Sequence, residues 1–172
     1  MVFDELDRAL LRELQHYPLQ SSDELASVVG VLPTEATERV QTMIERGVIL
    51  GYRTEVDLKA IGRPVQALVA VRVRASASGA MDDFREWAAA QPETLNLYIT
   101  SGSCDFFVHV AVPTTHDLYS FITDGLTKQP GVIDARTNIV FEHIRSYLTE
   151  PVDDNAANRH HRPSTSPETY PV

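Results

Sequence analysis

Two short stretches carry side chains whose types and spacing suit recognition chemistry. In "VLPTEATERVQT", residues 31–42, a helix opening at Pro33 leaves Thr34, Glu35, Thr37, Glu38, Gln41 and Thr42 facing outward. Threonine and glutamine can hydrogen-bond base edges in a duplex groove, and Glu38 can accept from a cytosine amino group. Amides at the helix start can face a phosphate. Arg39, the one cation in the stretch, suits a DNA contact and a structural ion pair equally well. In "TSGSCDFF", residues 100–107, Gly102 permits a tight turn with close backbone approach, and Asp105 offers a carboxylate where a strand begins. Such a turn is either an ordinary hairpin or the rim of a small-ligand site.

The elements that must position these groups are legible in the periodicity. Phe3, Leu6, Leu10 and Leu14 recur at helical spacing until Pro18. "SSDE" sets Ser21 and Glu24 at capping-box spacing ahead of a second helix, and Gly30 stands where a left-handed residue would stop it. Pro33 suits the first turn of a third helix that ends at Gly47. Leu25, Ala26, Val29, Ala36, Val40 and Met43 then pack the helices together. These offsets suit a helix-turn-helix and equally a small three-helix bundle. "VILGYRTEV" reads as a strand or wing-like hairpin, and "DLKAIGRP" as a linker.

Residues 66–146 alternate strand, helix, strand, strand, helix and strand, the order of a ferredoxin-like unit. The last strand is expected to run the length of "GVIDARTNIVFEHIRS", with His143 within it, and "THDLYSFITDGLTKQ" is expected to be one helix. Ala67, Val69, Val71 and Val73 alternate with Leu68 and Ala70, and Phe106, Val108, Val110 and Val112 with Phe107, His109 and Ala111. Both faces of the sheet are therefore rich in apolar residues, whereas a face meant for water should be polar. A dimer packed sheet to sheet is expected.

Bulk composition excludes several classes. The formal net charge is −9, spread as −5 over residues 1–60, −3 over 61–150 and −1 over the rest. No polybasic patch exists, so a claim on DNA must rest on architecture, because phosphate attraction comes from Lys and Arg. The N-terminus lacks a basic segment and no apolar run approaches the ~20 residues of a membrane span, so a soluble cytoplasmic protein is expected. Cys104, the single cysteine, cannot staple the fold or build a zinc site alone, and without a basic neighbour it reads as an inert thiol. No hydrolase triad, phosphate-binding glycine loop or metal-ligand spacing appears, so no catalytic residue, metal or cofactor is expected. Residues 151–172 carry four prolines and read as disordered, with "NRHHRP" a solvated tract.

Taken in order, "LDRALLRELQ", "ELASVVGV", "ERVQTMIERGVILGYRTEVDLKAIG", "SGSCDFFVHV" and "QPGVIDARTNIVFEHIR" resemble the Lrp/AsnC, or feast/famine, regulators over roughly residues 4–147. The resemblance implies an α+β chain: a winged helix-turn-helix domain at 1–54, a hinge at 55–65, a ferredoxin-like effector-binding and dimerisation domain at 66–149, and a disordered tail from 150. It implies double-stranded DNA as partner, contacted by Ser21, Ser22, Thr34, Thr37, Glu38, Arg39, Gln41, Thr42 and Arg53. It also implies a small effector, an amino acid, bound between subunits by Gly102, Ser103, Cys104, Asp105 and Thr137, in a homodimer that can assemble to an octamer.

Two departures stand out. Leu32 occupies the position where the family usually caps the third helix with Ser or Thr, at a cost of ~1 kcal/mol. That helix is also poor in basic residues. Two rivals follow: a sensor or oligomerisation protein with a weakened DNA-binding head, and an enzyme resembling the sirohaem decarboxylases on the same scaffold.

Overall fold

The computed structural model describes residues 3–74, 79–146 and 148–152. The expected disordered tail lies outside the described residues from position 153 onward, as does "NRHHRP". The chain divides into two compact units. One comprises the described residues up to Arg53 together with those from Arg145, and the other is Thr54–Ile144.

The first unit holds three helices: α1 (Glu5–His16), α2 (Ser22–Val29) and α3 (Pro33–Glu45). Each begins and ends on local chemistry. Asp4 accepts the Asp7 amide while the Asp7 side chain reaches back to the Asp4 amide, closing a capping box on α1. Ser21 and Glu24 close a second on α2, and Gly30, at φ 81°, stops that helix in the left-handed region. Leu32 precedes α3 with no side-chain cap bond, and Pro33 opens it. Leu10, Leu14, Leu25, Ala26, Ala36 and Met43 are buried where the helices meet, with Val29, Val31 and Val40 packed around them.

The strand or wing-like hairpin expected at 48–56 has no β-ladder among the described residues. Val48 and Ile49 pack onto the helical core, but Leu50, Tyr52 and Val56 are exposed and Gly51 sits at φ 139°. A strand requires a neighbour for its backbone groups, and the described residues supply none there.

The second unit is a four-stranded antiparallel sheet with two helices: β1 (Val65–Val73), α4 (Ala80–Ala90), β2 (Thr94–Ile99), β3 (Phe106–Val112), α5 (Thr115–Ser120) and β4 (Val132–Val140). The strand order is β2-β3-β1-β4, the ferredoxin-like arrangement expected. Ala67, Val69, Val71, Val73, Phe106, Val108, Val110 and Val112 form the buried face beneath Phe84, Ala88, Leu118 and Leu126.

Two expectations of regularity need correction. The second helix is α only to Ser120, then widens into a π-turn (Phe121–Gly125) and tightens into a 3-10 turn (Leu126–Lys128). The Trp87 ring fills the space beside Gly125, where an added Cβ would lie 3.3 Å from it. The last strand stops at Val140 rather than Ser146, leaving Phe141 almost fully exposed and His143 outside any strand. Val140 pairs with Gln66, at the start of β1, and Pro64 just before that strand has no N–H to extend the ladder.

The chain then rejoins the first unit. The carboxamide of Gln15 donates to the Thr149 carbonyl and accepts from the Thr149 amide, Arg12 grips Glu150 at 2.7 Å, and Arg8 donates to the Pro151 carbonyl. Residues from Arg145 thus group with the helical unit, whereas the sequence reading kept everything to 149 with the sheet.

Candidate functional site

Two regions are candidates: the exposed face of α3, and the turn between β2 and β3. Along α3, Ala36 and Met43 face the core, while Thr34, Glu35, Thr37, Glu38 and Gln41 are exposed and Thr42 is half-buried. Ser21 and Ser22 are exposed at the start of α2, but the Ser21 hydroxyl is occupied, donating to Glu24 and accepting from its amide. Arg53 is exposed, and so is Arg46 at the C-terminal end of α3.

Arg39 points elsewhere. Its Nη1 donates to Asp4 at 2.7 Å and to Asp7 at 3.1 Å, and Asp7 is almost completely buried. The Asp7 amide, and after it the Arg39 guanidinium, hold the Asp4 carboxyl below its ordinary range. Asp4, through its hydrogen bond, raises the already high value of Arg39 further. The guanidinium therefore braces α3 against the first turn of α1. Sequence reasoning left the arginine's role open because its partners lie 35 and 32 residues away. Asp4 and Asp7 did carry a local signal: two acidic residues at capping-box spacing before an apolar stripe.

In the turn, Gly102 stands at φ 124° with open space where a Cβ would be, and Gly102 and Ser103 are exposed. Cys104 is buried, with its carbonyl accepting from the Thr100 hydroxyl at 2.9 Å. Asp105 is tied into the sheet: its amide donates to the Val71 carbonyl, and its Oδ2 accepts the Val73 amide at 2.8 Å. One carboxylate oxygen is thus spent on structure, leaving the other for a ligand.

Thr137 is not brought to this turn within one chain. It lies exposed on β4, paired with Val69 of β1, and β1 separates β4 from β3. Two strand spacings across the sheet, and three residues along it from Val108 to Asp105, place it roughly 14 Å from the turn.

The uncovered sheet face has a feature that the sequence hinted at through His109. This side chain is buried between Gln66, whose Oε1 lies 3.1 Å from Nε2, and Asn96, whose amide nitrogen lies 3.4 Å from Nδ1. His143 meets it edge-on at 5.7 Å. Around it lie Leu68, Ala70 and Phe107, half-buried, and Ala111, buried. Among the described residues, no group of three or more His, Cys, Asp or Glu side chains is placed to hold a metal ion.

Comparison with known proteins bears on both regions. Residues 3–44 match the model of the AsnC-type helix-turn-helix domain, and residues 66–148 that of the Lrp/AsnC ligand-binding domain. The chain is 34% identical over 142 residues to the HTH-type transcriptional regulator AldR of Mycobacterium tuberculosis, covering 83% of this chain and 79% of that protein. It is 28% identical over 142 residues to the leucine-responsive regulatory protein of Escherichia coli, covering 83% and 87%. A transcriptional regulator of Neisseria meningitidis, solved as a complex with L-Met, superposes with a TM-score of 0.81 at 23% identity, covering 87% of this chain and 97% of that one.

Proposed function

The chain belongs to the Lrp/AsnC family of transcriptional regulators, and from that membership we propose that it binds duplex DNA through α2 and α3 and answers to an amino acid held at the β2–β3 turn. The observation that carries this reading is the juxtaposition in one chain of a matched helix-turn-helix and a matched ligand-binding domain. The protein acts as a regulator rather than an enzyme, in the cytoplasm where its DNA is. Among the described residues no helix is long and apolar enough to cross a membrane.

The effector lies against the backbone of Gly102 and Ser103, beside Cys104, with the second oxygen of Asp105 available for an ammonium group. Thr137 joins this set only from a second copy, since β1 intervenes within one subunit. The chain dimerises through the sheet face bearing Leu68, Ala70 and Phe107, and further assembly to an octamer brings more copies together and multiplies the DNA contacts. The L-Met complex of the Neisseria protein supports an amino acid as ligand class.

On the DNA side, Thr34, Thr37, Glu38, Gln41 and Thr42 of α3 face the groove, with Ser21, Ser22 and Arg53 toward the backbone. Arg39 acts by holding α3 in place. Arg46 and Arg53 then supply the phosphate contacts, so log K should fall with log salt at a slope of roughly −2 per head. A mobility-shift titration against the DNA upstream of its own gene, at several salt concentrations, tests this. Thermal shift with each of the twenty amino acids runs beside it. The acidic, uncapped α3 favours one second reading, a sensor whose head has stopped binding DNA. Stabilisation by an amino acid with no DNA retained at any salt would select it.

A further inference from the structure

Hydrogen-bond bookkeeping along α3 shows what kind of base edge it can meet. Its donors are largely consumed within the chain. The Thr37 hydroxyl donates to the Pro33 carbonyl at 2.7 Å and the Thr42 hydroxyl to the Glu38 carbonyl at 2.8 Å. Gln41 commits one of its two Nε2 hydrogens to Glu45 at 3.0 Å, and Arg39 is held by Asp4 and Asp7. What α3 leaves exposed is different in kind. Glu35 and Glu38 are pure acceptors, Thr37 keeps its methyl group, and Leu32 is 69% exposed immediately before the helix. Thr34 retains a hydroxyl.

The major groove sorts bases by the same chemistry. Guanine shows two acceptors there and must be met by donors; cytosine and adenine show amino groups that need acceptors; thymine shows a methyl group that takes apolar contact. We infer that α3 reads cytosine and adenine amino groups through Glu38 and its neighbours and thymine methyls through Leu32 and Thr37, leaving guanine's major-groove acceptors unread. Leu32 is then a specificity-determining residue as well as a lost cap. The side chain that forgoes a phosphate or amide bond at this position gains a contact with a base.

This inference rests on α3 entering the groove, and the experiment separates the two. The full-length protein is used to select sites from a random duplex pool, and the selected site is remade with deoxyuridine for thymine or with 7-deazaguanine for guanine. Uracil should weaken binding about fourfold per contacted methyl, the worth of one buried carbon, while 7-deazaguanine should change it less than twofold. Leu32→Ser supplies a capping oxygen, so its folding is not at risk, and it should lose the uracil penalty at the thymine that Leu32 contacts while keeping any owed to Thr37. Equal binding of both sites by the unaltered protein would overturn the inference. So would a uracil penalty that Leu32→Ser does not reduce at any thymine, or a large loss with 7-deazaguanine. Failure to enrich any sequence would instead remove the DNA-binding reading, and this inference with it.

Discussion

The helical head and the sheet domain solve the problem of staying folded by different means. The sheet domain relies on apolar volume. Among the described residues fourteen buried apolar side chains form its core, with Phe84 and Phe106 at 4.8 Å and Trp87 stacked on Phe121 at 5.8 Å. The head has six such side chains and three short helices. Small units bury a smaller fraction of their surface. The head compensates with directional polar devices: two capping boxes, a left-handed glycine stop and the Arg39 clamp. Removing a carbon should therefore hurt both regions, whereas removing a hydrogen-bonding group should hurt mainly the head.

Core deletions give the largest expected effects. Phe84→Ala should cost about 4 kcal/mol and Leu10→Ala about 3 kcal/mol. Trp87, the single tryptophan, reports on the sheet domain during urea unfolding. Leu10→Ala should lower the midpoint seen by far-UV circular dichroism and leave the Trp87 transition in place. Coincident shifts in both signals would show that the two regions unfold as one, which breaks the comparison.

Next comes the clamp. Arg39→Met leaves the buried Asp7 without its cation and should lower the melting temperature of the head, by less than breaking a fully buried pair would because the guanidinium is partly exposed. Adding Asp7→Asn should recover part of that loss. An Arg39→Met protein that keeps its melting temperature but loses DNA would return the arginine to the groove.

Leu32→Ser works in the opposite direction. A capping oxygen at the start of α3 should stabilise the head by about 1 kcal/mol, read as a rise of roughly 4–8 °C in its melting temperature. No rise would mean that the α3 amides are already satisfied.

The mildest effect concerns acid. The Asp7 amide and then Arg39 lower the pKa of Asp4, and the Ser21 amide and then its hydroxyl lower that of Glu24, from ordinary values of 3.8 and 4.5. Both groups bind protons more weakly when folded. Their contribution is therefore complete above about pH 4.5 and is lost as the pH falls through the lowered values. Helical signal should decline on acidification before Trp87 fluorescence changes. The reverse order would count against polar capping as the head's distinguishing support.

What the sequence disclosed follows the same division. Devices closed within a few residues were readable: Ser21 with Glu24, Gly30, Pro33, and the missing oxygen at Leu32. The alternation from Ala67 to Val73 and from Phe106 to Val112 sorted these residues into two faces because strand geometry alone decides it, though both faces read as apolar. Features that depend on distant partners were not. Arg39 finds Asp4 and Asp7 across more than thirty residues, and β4 ends at Val140 because of Pro64 in another strand's approach. The π-turn at Phe121–Gly125 ends at a glycine that lies against the Trp87 ring of a different helix. The candidate ligand turn was legible as a turn, but the separation of Thr137 from it required the strand order.

The return of Thr149, Glu150 and Pro151 to α1 has a topological consequence. The segment Thr54–Ile144 enters from the head and leaves back into it, so along the chain the sheet domain is an insertion within the helical one. Such an inserted domain is held by two covalent links where a terminal one has a single swivel. Cutting the chain after Ile144 would leave every helix of the head intact and remove one of the two links.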